Sequence, residues 1–216
     1  MRSLGDRMLL ACGVLGPAAF TAAWVAGGSR QSGYSVANDH ISGLAAHDAR
    51  TPNLMTAGFM ALGLSTLGFA AALDRRFGTM AGAPQLLGAS GLAICAAGIL
   101  RRDRMSNVPL LGDDPFERQS WINDAHDIAS VVGHVCATSG LLSLAARLRR
   151  EPGLRDLALP AAGTALASSG LMSYFARDVV RPGNGVVQRI GISFPLAFTA
   201  LLAGRLLREP RGAPAG

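Results

Sequence analysis

Six apolar stretches of about twenty residues follow one another along this chain of 216 residues. They cover residues 8–28, 54–73, 81–100, 125–146, 157–176 and 187–207. Each is long enough to cross a hydrocarbon core of ~30 Å as a helix. The pattern predicts an all-α integral membrane protein, a bundle of six transmembrane helices.

The composition supports a membrane protein and excludes a nucleic-acid-binding domain. Half of the residues are hydrophobic, only 16% are charged and the mean hydropathy is +0.31, which is usual for a multi-pass membrane protein. The pI near 10.5 does not indicate nucleic-acid binding, because no basic helix or aromatic-basic stripe lies outside the apolar stretches. We expect one transmembrane domain over residues 1–207 and a disordered cytoplasmic tail over residues 208–216.

The arginines indicate how the chain is oriented, since it contains no lysine. With the N-terminus inside, eleven arginines lie on the cytoplasmic side and nine on the outer side. Arg75-Arg76 and Arg147–Arg150 lie in short loops against the ends of spans, where the positive-inside rule operates. These residues predict a multi-pass membrane protein with both termini in the cytoplasm.

In this topology the unusual polar and aromatic residues collect at the outer end. All four histidines, both tryptophans and both tyrosines lie in or near the loops after the first, third and fifth helices. The candidate binding residues are Tyr34, Asp39, Ser42, Trp121, His126, Asp127 and Arg189. A second group comprises His40, Ser130, His134 and Gln188.

The fourth stretch places three polar residues at helical spacing. His126, Ser130 and His134 are four residues apart and therefore predict one polar helix face. His134 lies ~12 Å deeper than His126 at the α-helical rise. Ionisable groups at such depth usually face the bundle interior. His134 is interpreted either as a ligand, proton relay or general base, or as a neutral side chain bonded to a neighbouring helix, and the second interpretation is favoured.

Arg189, at the start of the sixth stretch, needs a partner for its charge. Asp39, Asp127 and Asp178 are candidate partners, and a phospholipid headgroup is a candidate anion. Arg102 is expected to snorkel towards headgroups.

Two other features of the outer end leave a choice between structure and function. Asp39 and Ser42 share a face if the first loop forms a short interfacial helix, where they serve either a site or a helix cap. Trp24, Tyr34, Trp121 and Tyr174 form a one-sided aromatic set, either an interfacial belt or the lining of a cleft.

Short motifs resemble a bacterial family of six-helix membrane proteins known as domain of unknown function 998. They are Gly33-Tyr34, Asp39-x-Ile41-Ser42-x-Leu44, Pro52 before Leu54-Met55, His126 at the start of helix four, and Gln188-Arg189-Ile190. The resemblance implies a six-helix architecture and no particular activity. It covers Asp39, Ser42, His126 and Arg189, a set that suits an anion or headgroup better than zinc.

These observations favour a protein that binds a lipid or amphiphile headgroup in a polar cleft at the outer face. The first alternative is a hydrolase of lipid headgroups with His126 as base, Asp39 to orient it and Arg189 to stabilise negative charge. A metal-dependent version of it recruits His40 and His134. A small transporter and a purely structural role for the polar residues are further alternatives. We expect membrane lipids as partners and no cofactor or resident metal, whereas protein partners and the oligomeric state are not indicated.

Overall fold

A computed structural model describes residues 3–78, 82–105 and 120–209, and the regular secondary structure of these ranges is entirely helical. The helices are α1 (Leu4–Arg30), α2 (Pro52–Phe77), α3 (Ala83–Ile99), α4 (Trp121–Leu148), α5 (Ala158–Arg177) and α6 (Asn184–Arg208). Two short 3-10 helices lie at Ile41–Ala45 and Arg155–Leu157. Each predicted apolar stretch therefore corresponds to one helix, and no strand occurs in the described ranges.

Four helices, α1, α2, α4 and α6, are long and apolar enough to cross a membrane. The helix α3 is apolar but has only 17 described residues, and α5 has 20 residues that include Thr164, Ser168, Ser169 and Ser173. The prediction of an all-helical membrane protein is thus confirmed: the described ranges contain four candidate membrane spans and two further α-helices. Of the predicted disordered tail, residues 208–216, Arg208 is instead the last residue of α6, and residues 210–216 lie outside the described ranges.

Local sequence explains where the helices that carry the polar residues begin. α4 starts at Trp121, four residues before the predicted stretch, because Ser120 Oγ accepts the Asn123 N–H and caps the helix. α2 begins with Pro52 at its first position, where the missing N–H costs nothing. It ends at Gly78, whose φ of 72° favours glycine.

Consecutive helices pack as antiparallel neighbours, and α6 returns to pack against α1, which closes a ring. Small residues permit close approach between them. A Cβ on Gly63 of α2 would lie 2.7 Å from the Gly91 carbonyl of α3, and a Cβ on Gly91 would lie 2.7 Å from the Gly63 carbonyl. Glycine is therefore required on both sides of this contact.

Two hydrophobic clusters divide the bundle into two ends. The larger one is buried among α2, α4, α5 and α6 towards the chain termini, and we name this end the base end. The smaller one includes Phe20, Leu44, Met55 and Phe59, and its end of the bundle is named the cap end. The cap end carries the connection between α1 and α2, residues 31–51, which is named the cap loop.

Candidate functional site

The cap loop folds into the bundle instead of passing over it. Every residue of its 3-10 helix, Ile41–Ala45, is buried, and Ile41, Leu44 and Ala45 belong to the hydrophobic cluster of the cap end. Asp39 precedes this helix and Ser42 lies within it, and both are buried. The predicted short helix therefore exists as a buried element whose neighbours are the ends of α1, α2 and α6.

Arg189 of α6 connects the cap loop to the bundle. It is 7% exposed, and its Nη1 donates to the Asp39 carbonyl at 2.9 Å and to the Gly185 carbonyl at 2.8 Å. Its Nη2 donates to the hydroxyl of Tyr34. The guanidinium carbon lies 5.4 Å from the centre of the Trp24 ring and 5.6 Å from that of Tyr34, within cation-π range.

Among the described residues, the partners of Arg189 include no carboxylate that neutralises its charge. Its three hydrogen bonds there end on neutral oxygens, and its buried Nε has no hydrogen-bond partner in these ranges. The expected partners lie elsewhere: Asp127 pairs with Arg102 at 3.2 Å, and Asp178 lies 3.6 Å from Arg181. Asp39 contributes a main-chain carbonyl, and its carboxylate accepts the Ser35 N–H at 2.7 Å.

Tyr34 bridges Arg189 and the cap loop through one hydroxyl group. The hydroxyl accepts from Arg189 and donates to the His40 carbonyl at 3.0 Å. Burial raises the pKa of Tyr34 to about 12, against the opposing effect of the Arg189 charge. The phenol therefore keeps the proton that it donates throughout the neutral range.

The start of α6 holds the cap loop through backbone and amide groups. Gln188 Oε1 accepts the Ile41 N–H at 2.8 Å, and the Val186 N–H donates to the Ala37 carbonyl at 3.1 Å. Asn38 Oδ1 accepts the Gly183 N–H at 2.9 Å. A Cβ on Gly185 would lie 2.7–2.8 Å from three cap-loop carbonyls, so only glycine allows this approach.

His40 of the cap loop is a buried side chain near cationic groups. Its Nε2 lies 3.2 Å from the Val179 carbonyl, and its ring centre lies 4.6 Å from that of Phe175. Burial lowers the pKa of His40 to about 4, and the nearby charges of Arg102, Arg189 and His126 act in the same direction. The imidazole is therefore neutral at physiological pH.

His126 fastens the start of α4 to the end of α3. Its Nδ1 lies 2.8 Å from the Ala97 carbonyl and 2.7 Å from the Leu100 carbonyl, so this nitrogen carries the proton. Among the described residues His126 forms no hydrogen bond with Asp39 or Arg189. The orientation of His126 by Asp39, which the hydrolase hypothesis requires, is therefore replaced by orientation by two carbonyls.

The other predicted residues of α4 do not form one continuous polar face. Ser130 is exposed, whereas the Nε2 of His134 is buried and has no hydrogen-bond partner among the described residues. Trp121 is 73% exposed, so it does not line a cleft with the buried residues. His126 lies on the buried side of the helix and is only 1% exposed.

The structure thus brings Tyr34, Asp39, His40, Gln188 and Arg189 together, and these five residues are named the cap cluster. In the described ranges no three His, Cys, Asp or Glu side chains are arranged to hold a metal ion. The cap cluster offers a buried cation, two aromatic faces and fixed carbonyl dipoles. These groups suit the binding of an anion more than proton transfer.

Sequence reasoning missed two residues that shape this region. Arg102 was expected to snorkel to headgroups, but it is 8% exposed, and its carbonyl accepts the His47 N–H at 3.1 Å. Gly185 was not singled out, although the Gly183-Asn184-Gly185 run before an apolar stretch is a signal for a tight helix start. Asn184 closes the turn between α5 and α6 by donating to the Phe175 carbonyl at 3.1 Å.

Comparisons with known proteins identify the family. No similar curated protein and no similar solved structure was found. The model of a family described as protein of unknown function, DUF998, matches residues 14–205, which include the whole cap cluster, and confirms the resemblance seen in the sequence motifs. With nearly its full length matched, the chain belongs to the DUF998 family.

Proposed function

We propose that this protein crosses the bacterial cell membrane with six helices, has both termini in the cytoplasm, and binds the anionic headgroup of a lipid or amphiphile at its outer cap end. The single observation that carries the binding proposal is Arg189. Within the part of the chain that the structure describes, it is a buried guanidinium with neutral hydrogen-bond partners and a buried Nε that lacks one.

The energetics of Arg189 favour an anionic ligand. Burying a charge without a counter-ion costs several kcal/mol, on the order of the whole stability of a small domain. Neutral carbonyls and aromatic faces recover part of this cost. A phosphodiester oxygen on Nε would satisfy this donor and neutralise the charge.

The surroundings of Arg189 give a lipid a route to it. Val186 and Ile190, neighbours of Arg189 on α6, are exposed, and Trp24 of α1 is half-buried. We infer that a headgroup enters at the seam between α1 and α6 by displacing the Trp24 ring. The acyl chains then remain in the membrane beside α6.

The alternatives have less support. For a hydrolase, the imidazole of His126 lacks the contact to Asp39 that the reaction assigns to it. For a transporter, the polar groups of α4 give way to Leu141, Leu144 and Leu148, which are buried in the base cluster. A purely structural role of the cap cluster is the alternative that the experiment must separate from binding.

Native mass spectrometry with added phosphatidylglycerol tests the proposal on wild type, Arg189→Ala and the control Arg177→Ala. Arg177 is exposed at the same end, so its loss changes the net charge equally without altering the cap cluster. Wild type and the control are expected to retain the lipid. Arg189→Ala is expected to retain at most about a tenth as much lipid, because a charged hydrogen bond is lost.

A second variant separates binding from folding. Tyr34→Phe removes the hydroxyl between Arg189 and the His40 carbonyl but keeps the charge. We expect a lower Tm with phosphatidylglycerol retained. If Arg189→Ala retains the lipid as wild type does and only its Tm falls, the cap cluster is structural and the proposal is wrong.

A further inference from the structure

A cavity lies at the base end, far from Arg189. Its volume is about 290 Å³, and it lies between the start of α5 and the last third of α6. Its lining residues are Asp156, Leu157, Ala200, Leu201, Gly204, Arg205 and Arg208. Arg205 follows Arg189 by sixteen residues, ~24 Å along an α-helix, so the two sites are separate.

Gly204 of α6 keeps the cavity open, because it has no side chain. A Cβ on Gly204 would meet no atom within 4 Å, unlike the glycines at the helix contacts of α2 and α3. Gly204 therefore leaves open space where a larger residue of α6 would fill the groove. Leu201, one turn away on the same helix, is 54% exposed and extends the cavity as an apolar surface.

The cavity is lined by both positive and negative side chains. Arg205 and Arg208 are exposed at the end of α6 and supply two guanidinium groups. Asp156, at the start of α5, supplies one carboxylate. Within the described ranges Asp156 forms no ion pair, although it shares the cavity with both arginines.

We propose that this cavity binds the headgroup of phosphatidylethanolamine. The phosphodiester lies between Arg205 and Arg208, since guanidinium groups bind phosphate oxygens in pairs. The ammonium group lies at Asp156, and an acyl chain runs along Gly204 and Leu201. One cavity thus matches the negative, positive and apolar parts of a single lipid, and phosphatidylglycerol lacks the ammonium that Asp156 requires.

The decisive variant is Gly204→Leu, which fills the cavity without a collision in the fold. Its matched control is Gly163→Leu, because a Cβ on Gly163 of α5, as on Gly204, meets no atom within 4 Å and Gly163 does not line the cavity. Native mass spectrometry with added palmitoyl-oleoyl phosphatidylethanolamine measures binding. We expect about tenfold weaker binding for Gly204→Leu and wild-type binding for the control.

Two further variants test the charges. Arg208→Gln is expected to weaken phosphatidylethanolamine binding about tenfold through the lost phosphate contact. Asp156→Asn is expected to remove the preference for phosphatidylethanolamine over phosphatidylglycerol. Excess inorganic phosphate is expected to leave the bound lipid in place, since it lacks the ammonium and the acyl chains.

The following results would contradict the proposal that the cavity binds phosphatidylethanolamine. Undiminished phosphatidylethanolamine binding by Gly204→Leu overturns the proposal, as does displacement of the lipid by inorganic phosphate. An unchanged lipid preference in Asp156→Asn refutes the assignment of the ammonium. Arg189→Ala serves as a control for the outer site and is expected to bind phosphatidylethanolamine like wild type.

Discussion

At the base end the helices bury large apolar side chains against one another, whereas at the cap end they bury ionisable and amide groups. Nine of the thirteen buried polar residues in the described ranges lie at the cap end. They are Asp39, His40, Ser42, Arg102, Asn123, His126, Asn184, Gln188 and Arg189. At the base end, Glu151 is buried beside Arg147, with which it forms an ion pair.

The difference teaches that the two ends tolerate change in different ways. Apolar packing is non-directional, so truncating a side chain at the base end lowers the stability of the protein in proportion to the volume removed. Hydrogen bonds in a low-dielectric interior depend on every partner, so the cap end is sensitive to single atoms and to protonation. The following experiments probe this contrast, beginning with the largest expected effect.

Phe69→Ala tests the base end. Phe69 of α2 is 2% exposed within the large apolar cluster. Its truncation leaves a cavity whose lining loses dispersion contacts, and we expect a loss of about 3–5 kcal/mol in unfolding free energy. Denaturation in detergent, followed by far-UV circular dichroism, measures the loss, which should be independent of pH between 4 and 7. A loss below ~1 kcal/mol would show that the base cluster is not the main source of stability.

The cap end should respond to pH through His40. The pKa of about 4 lies below the ordinary value of 6.5, because burial penalises the charged form, and Arg102, Arg189 and His126 add to this effect. The unfolded chain therefore binds the proton first as the pH falls. Stability is complete above pH 6.5 and decreases from 6.5 to 4, by about 3 kcal/mol at ~1.4 kcal/mol per unit.

The control for this titration is His40→Gln, which cannot be protonated and retains an N–H for the Val179 carbonyl. Denaturation curves of both proteins are compared across this range of pH. The variant should lose most of the slope between pH 6.5 and 4. An unchanged slope would assign the pH dependence to another group.

Gly185→Ala tests how closely the cap loop must approach α6. The added Cβ would lie 2.7–2.8 Å from three carbonyls, and we expect a net loss of about 1–2 kcal/mol even though alanine favours helix. Hydrogen exchange should increase mainly at residues 36–46. Gly163→Ala, where the Cβ meets open space, should be neutral or slightly stabilising. Equal effects of the two substitutions would mean that the cap loop moves aside without cost.

Much of the fold can be predicted from the sequence, because apolar length determines where membrane helices form. The six stretches match the six helices in order, and His126 was recognised from its helical spacing with Ser130 and His134, and Arg189 from the need of its charge for a partner. The start of α4 was missed because its first turn contains Asn123 and Asp124, which interrupt the apolar pattern, and is stabilised by the Ser120 cap.

The partners of the recognised residues could not be predicted. Arg189 was matched to carboxylates, but it binds the main-chain carbonyls of Asp39 and Gly185. Every residue has a carbonyl, so side-chain patterns contain no information about which ones are used. The burial of Arg102 depends likewise on how the cap loop packs after the helices have assembled.

The contact between the cap loop and α6 has a consequence for synthesis. Residues 34–41 leave the ribosome early, yet the partner of Ile41, Gln188, lies 147 residues further along the chain, and the partner of Asp39, Arg189, lies 150 residues further along. Until α6 inserts, the Ala37 and Asp39 carbonyls and the Ile41 N–H lack the partners that α6 supplies. Closure of the cap thus requires that α6 has been made. A protein truncated before residue 184 would expose an open cap loop, which is a feature that a quality-control protease can distinguish from the complete bundle.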